Sequence, residues 1–278
     1  MSGKMKNVVL WLVAVVLTVS LVIYQRATGP TYPVRGKVEI NGEIVKYKLI
    51  RSFMGEKDAP IEIEVLNSDI TGEIRFKRYK SHDEWSTKPM TMLDGKLVTT
   101  LPNQPPAGKI TYFVQLFYKG QAYPLNSDPV IIRYTGNVPL FILAPHIFFM
   151  FLSLLFGMRV GLELFFRNKE TLYFTGIVVI TLFLGGLVLG PIVQKYAFDA
   201  YWTGWPFGHD LTDNKTIGSF ILWVIAWFML RKNKENKVWP IIALLGMMAV
   251  YLIPHSALGS EIDYTKIENQ PVEQNLNN

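Results

Sequence analysis

Pro139-Leu-Phe-Ile-Leu-Ala-Pro-His-Ile-Phe-Phe-Met-Phe-Leu-Ser-Leu-Leu-Phe-Gly-Met-Arg-Val-Gly-Leu-Glu-Leu-Phe-Phe166 decides the fold class. It holds only two charged residues, Arg159 and Glu163, and a helix rising about 1.5 Å per residue would carry it through the ~30 Å hydrocarbon core of a bilayer. Working outward, Val8–Tyr24, Leu172–Val193, Asp213–Leu230 and Val238–Ile253 have the same character. The pattern predicts a membrane α-helical bundle of five transmembrane helices. Val8–Tyr24 follows Lys4 and Lys6. It reads as an uncleaved signal-anchor, because Leu21-Val-Ile-Tyr24 stands where a small-x-small leader cleavage site is expected.

The chain has 278 residues, 50% of them hydrophobic and 18% charged, so apolar blocks alternate with water-soluble ones. Mean hydropathy is +0.21. It contains no cysteine. Thiolate chemistry, Cys-ligated zinc, iron–sulfur clusters and c-type haem are therefore excluded. The net charge of +6 does not point to nucleic acid. Many of the basic residues flank apolar segments, and no basic-aromatic motif occurs.

Those basic residues set the expected topology. Arg159, Arg167 and Lys169 follow the second segment, and Arg231, Lys232, Lys234 and Lys237 separate the fourth from the fifth. The opposite loop, Gln194–Thr212, has only Lys195. With alternating spans the N-terminus is cytoplasmic and the C-terminus extracytoplasmic, in a cell inner or plasma membrane. Gly157-x-x-x-Gly161 and Gly186-x-x-x-Gly190 are close-approach patches near opposite ends of their spans. Each should seat another helix of this chain or of a partner. Arg159 and Glu163, four residues apart, are read as a structural pair with Arg159 snorkelling to the interface.

Between the first two spans the pattern changes. Val34–Ile40 and Glu43–Leu49 flank Asn41-Gly42, a hairpin signal, and Ile61–Val65 and Glu73–Tyr79 alternate with period two. Asp94-Gly95 marks another turn, and Lys109–Tyr118 and Pro129–Tyr134 bring the expected total to about seven strands. Residues 31–136 thus read as an inserted all-β domain, a sandwich or barrel. Pro105-Pro-Ala-Gly-Lys-Ile-Thr-Tyr-Phe-Val-Gln-Leu116 resembles the corner entering the sixth strand of an immunoglobulin-like or fibronectin type III sandwich. The resemblance covers this domain alone and implies a fold without chemistry. The expected organisation is an anchor over 1–30, the sandwich over 31–136, a four-helix bundle over 137–256 with an aromatic loop over 194–215, and a polar tail over 257–278.

His146, His209 and His255 all fall at the outer face in that topology, whereas His82 reads as a solvated loop residue. Imidazoles converging there suit a divalent metal ion, and two of them suit a b-type haem. Asp210 is the preferred accompanying carboxylate, with Asp199, Asp213, Glu261 and Asp263 nearby. Trp202, Trp205 and Phe207 belong to a loop that could cover a cofactor. The same aromatics also read as an interfacial belt, with Thr212 or Asp213 capping the fourth span. Two functions follow: a metal- or haem-binding subunit of an envelope electron-transfer or oxidase-like complex, or a non-catalytic scaffold that binds partners through its sandwich. A membrane-embedded metal-dependent enzyme is a third. The expected partners are the lipid bilayer and other membrane or envelope subunits.

Overall fold

A computed structural model describes residues 3–166, 169–208, 210–253 and 261–268. The chain divides into a helical unit, Met1–Pro30 with Val138–Ser260, and a β unit, Thr31–Asn137 with Glu261–Asn278. The assignment of Glu261–Glu268 to the β unit was not anticipated by reading 257–278 as a polar tail.

The β unit has eleven strands among the described residues: β1 Val34–Ile40, β2 Glu43–Leu49, β3 Ser52–Met54, β4 Ala59–Glu64, β5 Thr71–Arg78, β6 Ser86–Pro89, β7 Thr91–Leu93, β8 Lys96–Leu101, β9 Lys109–Tyr118, β10 Gln121–Pro124 and β11 Val130–Thr135. Three two-residue turns set the register of its tight hairpins. Asn41-Gly42, Asp94-Gly95 and Lys119-Gly120 all have positive φ at both positions, as the twist-matched type I′ turn requires. They close β1 on β2, β7 on β8 and β9 on β10. The sheets have the orders β1-β2, β3-β11-β9-β5-β6 with β10 beside β9, and β4-β8-β7. β3 pairs parallel to β11.

Alternation converts directly into burial. Ala59, Ile61 and Ile63 point inward from β4 while Pro60, Glu62 and Glu64 face out. The core joins these to Ile74, Leu97, Leu101, Tyr112, Val114, Leu116, Ile132 and Tyr134 from the other strands. Each fully buried Ile or Leu contributes about 1.5–3 kcal/mol before entropy is counted. The Tyr112 hydroxyl donates to the Ile50 carbonyl at 2.7 Å, linking β9 to the segment before β3. Burial drives that phenol well above its ordinary pKa and keeps it neutral.

The helical unit contains α1 Gly3–Thr28, α2 Leu140–Phe166, α3 Thr171–Leu182, a π-helical turn Phe183–Leu189, α4 Gly190–Phe198, α5 Leu211–Lys232 and α6 Val238–Leu252. Among the described residues three stretches are long and apolar enough to cross a membrane: α1, α2 and the continuous run Thr171–Phe198. Five equivalent spans were expected, and α5 and α6 fall outside these three. α5 places Asp213, Asn214 and Lys215 in its first turns and Arg231 and Lys232 in its last, and α6 has 15 residues.

Both glycine patches seat helices of this chain. A Cβ on Gly157 would lie 2.7 Å from Met247 Sδ, and one on Gly161 would lie 2.4 Å from Leu244 Cδ2, so α6 packs on bare backbone. Gly186 likewise faces Thr216 of α5 at 2.7 Å. Leu17 and Tyr24 of α1 share one apolar groove with Met158 and Phe165 of α2 and with Leu244 and Met248 of α6.

Arg159 does not snorkel. Its side chain and that of Glu163 are both 0% exposed. One guanidinium nitrogen meets Glu163 Oε2 at 2.6 Å and another meets Asn7 Oδ1 at 2.8 Å, while Trp11 and Phe174 present ring faces to the cation. Glu163 Oε1 accepts the backbone N–H groups of Lys169 and Glu170, just before α3. The pair thus joins α1, α2 and the turn into α3, with both terminal guanidinium nitrogens matched and only Arg159 Nε left without a hydrogen-bond partner among the described residues.

Candidate functional site

Two neighbouring features mark the end of the helical unit where α2 begins and α4 meets α5. The first is a polar knot. α4 stops at Asp199, which takes left-handed φ, and the chain returns through Tyr201–Gly208. Asp213, in the first turn of α5, reaches back into that loop. Its Oδ2 accepts the backbone N–H groups of Thr203 at 2.7 Å and Gly204 at 2.9 Å, and Gln194 Nε2 at 3.2 Å. Gln194 also donates to Thr203 Oγ1 at 2.7 Å, and Asn214 Oδ1 accepts the N–H of Trp205 at 2.7 Å. Asp210, rather than Thr212 or Asp213, caps α5: its Oδ1 accepts the Thr212 N–H at 2.8 Å.

Close approach explains the loop glycines. A Cβ on Gly204 would sit 2.6 Å from Asp213 Cβ, and one on Gly208 would sit 2.3 Å from the Thr203 carbonyl oxygen. The Trp202 indole donates to the Trp205 carbonyl at 3.0 Å. With its backbone tied down in this way, the loop holds Trp205 73% and Phe207 84% exposed.

The second feature is His146. Its Nδ1 lies 2.8 Å from the carbonyl oxygen of Gly185, inside the π-helical turn. A carbonyl only accepts, so Nδ1 carries the hydrogen, and in the neutral imidazole Nε2 keeps its lone pair. The same carbonyl takes the N–H of Gly190, the wider spacing that defines a π turn. Gly185 permits the approach, since a Cβ there would lie 2.9 Å from Phe149 Cβ. Metal-bound histidines are characteristically held in this way, one ring nitrogen on a carbonyl and the other free to coordinate.

The anticipated ligand set is only partly brought together. His209 and His255 lie outside the described residues. Asp210 and Asp213 are engaged in the cap and the knot, and Asp199 pairs with Lys195 at 2.7 Å. Glu261 and Asp263 belong to the β unit. Among the described residues no group of three or more His, Asp or Glu is arranged to hold a metal ion. Gln194, Thr203 and Gly185 were not anticipated. A glutamine just past the end of an apolar span was the one available signal for the knot.

The chain matches no protein-family model and no curated protein.

Proposed function

We propose that this is an integral membrane protein with its β unit on the extracytoplasmic face, acting as a non-catalytic, partner-binding subunit of an envelope assembly. The observation that carries the reading is the tied loop that holds Trp205 and Phe207 in solvent. Exposed aromatics on a pre-ordered backbone lose little entropy on binding and are characteristic anchors of interfaces. Strand order supports an immunoglobulin-like sandwich for the β unit: β3-β11-β9-β5-β6 and β4-β8-β7 share one core. Such domains on membranes commonly bind or scaffold.

Topology supports it too. The β unit precedes α2, and Glu261–Glu268, which follows α6, belongs to the same unit. Both must lie on one face, so an even number of crossings separates them. α2 and the run Thr171–Phe198 account for two. α5 and α6 then cross together or not at all, and the basic loop Arg231–Lys237 between them favours crossing, with that loop cytoplasmic.

A photo-reactive phenylalanine analogue at position 207, irradiated in intact membranes, tests the binding role. We expect a discrete protein adduct that weakens when Trp205 is replaced by alanine. Adducts with lipid alone would make the aromatics an interfacial belt and remove the reading.

His146 favours a second reading, the metal- or haem-binding subunit, in which its free Nε2 coordinates with one or both of His209 and His255. On that reading the detergent-purified protein shows a haem Soret band or stoichiometric bound metal, and His146→Ala abolishes it. A colourless, metal-free parent protein would retire this second reading.

A further inference from the structure

Resting on the partner-binding reading, we propose that the β unit carries a recognition site for acidic–aromatic segments of the form Glu-x-x-Tyr in a partner protein, and that Glu261–Glu268, helical over Tyr264–Glu268, occupies it as a displaceable tethered ligand. The site lies where the end of β5 meets the corner before β9. Two backbone carbonyls face outward there: Ala107 accepts the N–H of Ile262 at 3.3 Å and Lys80 accepts that of Thr265 at 3.1 Å. Ala107 and Lys80 both have positive φ, which breaks the strand pattern and leaves these carbonyls to an incoming chain. Lys80 and Lys109 clamp the Glu261 carboxylate from two sides.

Three residues on, Tyr264 is buried. Its hydroxyl donates to Gln104 Oε1 at 3.0 Å, and the Arg78 guanidinium stacks 4.4 Å from the ring centre. Gly108 makes the room, because a Cβ there would come within 3.0 Å of the Tyr264 hydroxyl. Spacing, charge and an aromatic slot therefore read a defined pattern.

Occupation by a ligand differs from membership of the framework. The core of the β unit is complete without any residue of 261–268. The contacts are partly exposed ion pairs, a cation–π stack and two backbone bonds, which are individually weak and exchangeable. Burial opposes the charge on Glu261, yet the two lysines hold its carboxyl below the ordinary carboxylate range, so it stays an anion at neutral pH. Tethering supplies the local concentration that keeps so polar a contact filled, and an untethered partner must outcompete it.

The test uses a fluorescein-labelled peptide of residues 261–268, read by anisotropy against the detergent-purified full-length chain and a variant ending at Ser260. The truncated variant should bind the peptide saturably, and the full-length chain about tenfold or more weakly. Lys109→Glu in the truncated variant should weaken binding about tenfold or more, and a Glu261→Lys peptide should recover part of the loss. Lys80→Ala, at a more exposed position, is the fallback if Lys109→Glu does not fold. Three outcomes would overturn the proposal: no saturable binding by the truncated variant, equal binding by the full-length chain, or no effect of the lysine changes. Loss of the β-sheet circular dichroism signal on truncation would do so as well, by making the segment part of the framework. None of these outcomes bears on the crosslink at position 207, so the two readings fail separately.

Discussion

Glu163→Ala should destabilise the helical unit by about 3–5 kcal/mol, because it leaves a buried Arg159 cation without its carboxylate partner. Arg159 is 0% exposed, and Glu163 is its carboxylate partner. The same change removes the acceptor for the N–H groups of Lys169 and Glu170. Glu163→Gln keeps an acceptor for those groups and for the guanidinium, so it should cost clearly less. The double change Arg159→Leu with Glu163→Leu removes both charges, and should recover stability to within about 1–2 kcal/mol of the parent, the residue being the two lost backbone bonds. Thermal unfolding in detergent, followed by tryptophan fluorescence, ranks the three variants. Equal stability of Glu163→Ala and the parent would mean that the pair is hydrated in solution and has only a surface role.

The second large effect is all-or-none. A periplasm-active reporter fused after Asn278 should be active, and the same reporter inserted at Asn233 should be silent, with a cytoplasm-active reporter giving the reverse. Loop charge leads to this result, and the sharing of one unit by Glu261–Glu268 and the strands adds that the tail lies on the same face as the β unit. A cytoplasmic C-terminus would imply an odd number of crossings between the β unit and the tail, which the docking of Glu261 on Lys80 and Lys109 forbids. Either that docking or the membrane reading would then have to go.

Much of the β unit was legible residue by residue. Asn41-Gly42 and Asp94-Gly95 announce their turns because few other residues accept two consecutive positive φ angles. Lys119-Gly120 closes a third such turn that was not anticipated, since lysine at the first position does not advertise it. β3, β6 and β10 were also missed. They have only three or four residues each, too few to display a period, and are ordered by the strands beside them.

In the helical unit, composition marked out the apolar segments but not how they cross or pack. It anticipated that the glycine patches would seat helices without naming α5 and α6 as the occupants. It assigned Arg159 to the surface because a charge near a helix end ordinarily reaches water. Only packing by Trp11, Phe174 and Asn7 could bury it.

What the sequence by itself determined is local: where apolar runs exclude water, where alternation makes strands, and where glycine permits a turn. Each follows from the chemistry of a few consecutive residues. The tertiary structure decided which distant groups meet: Asp213 with the Thr203–Gly204 loop, His146 with the Gly185 carbonyl, and Glu261 with Lys80 and Lys109. No spacing rule encodes these meetings. They arise because buried donors, acceptors and charges must be matched by whichever groups the packed backbone brings within about 3 Å.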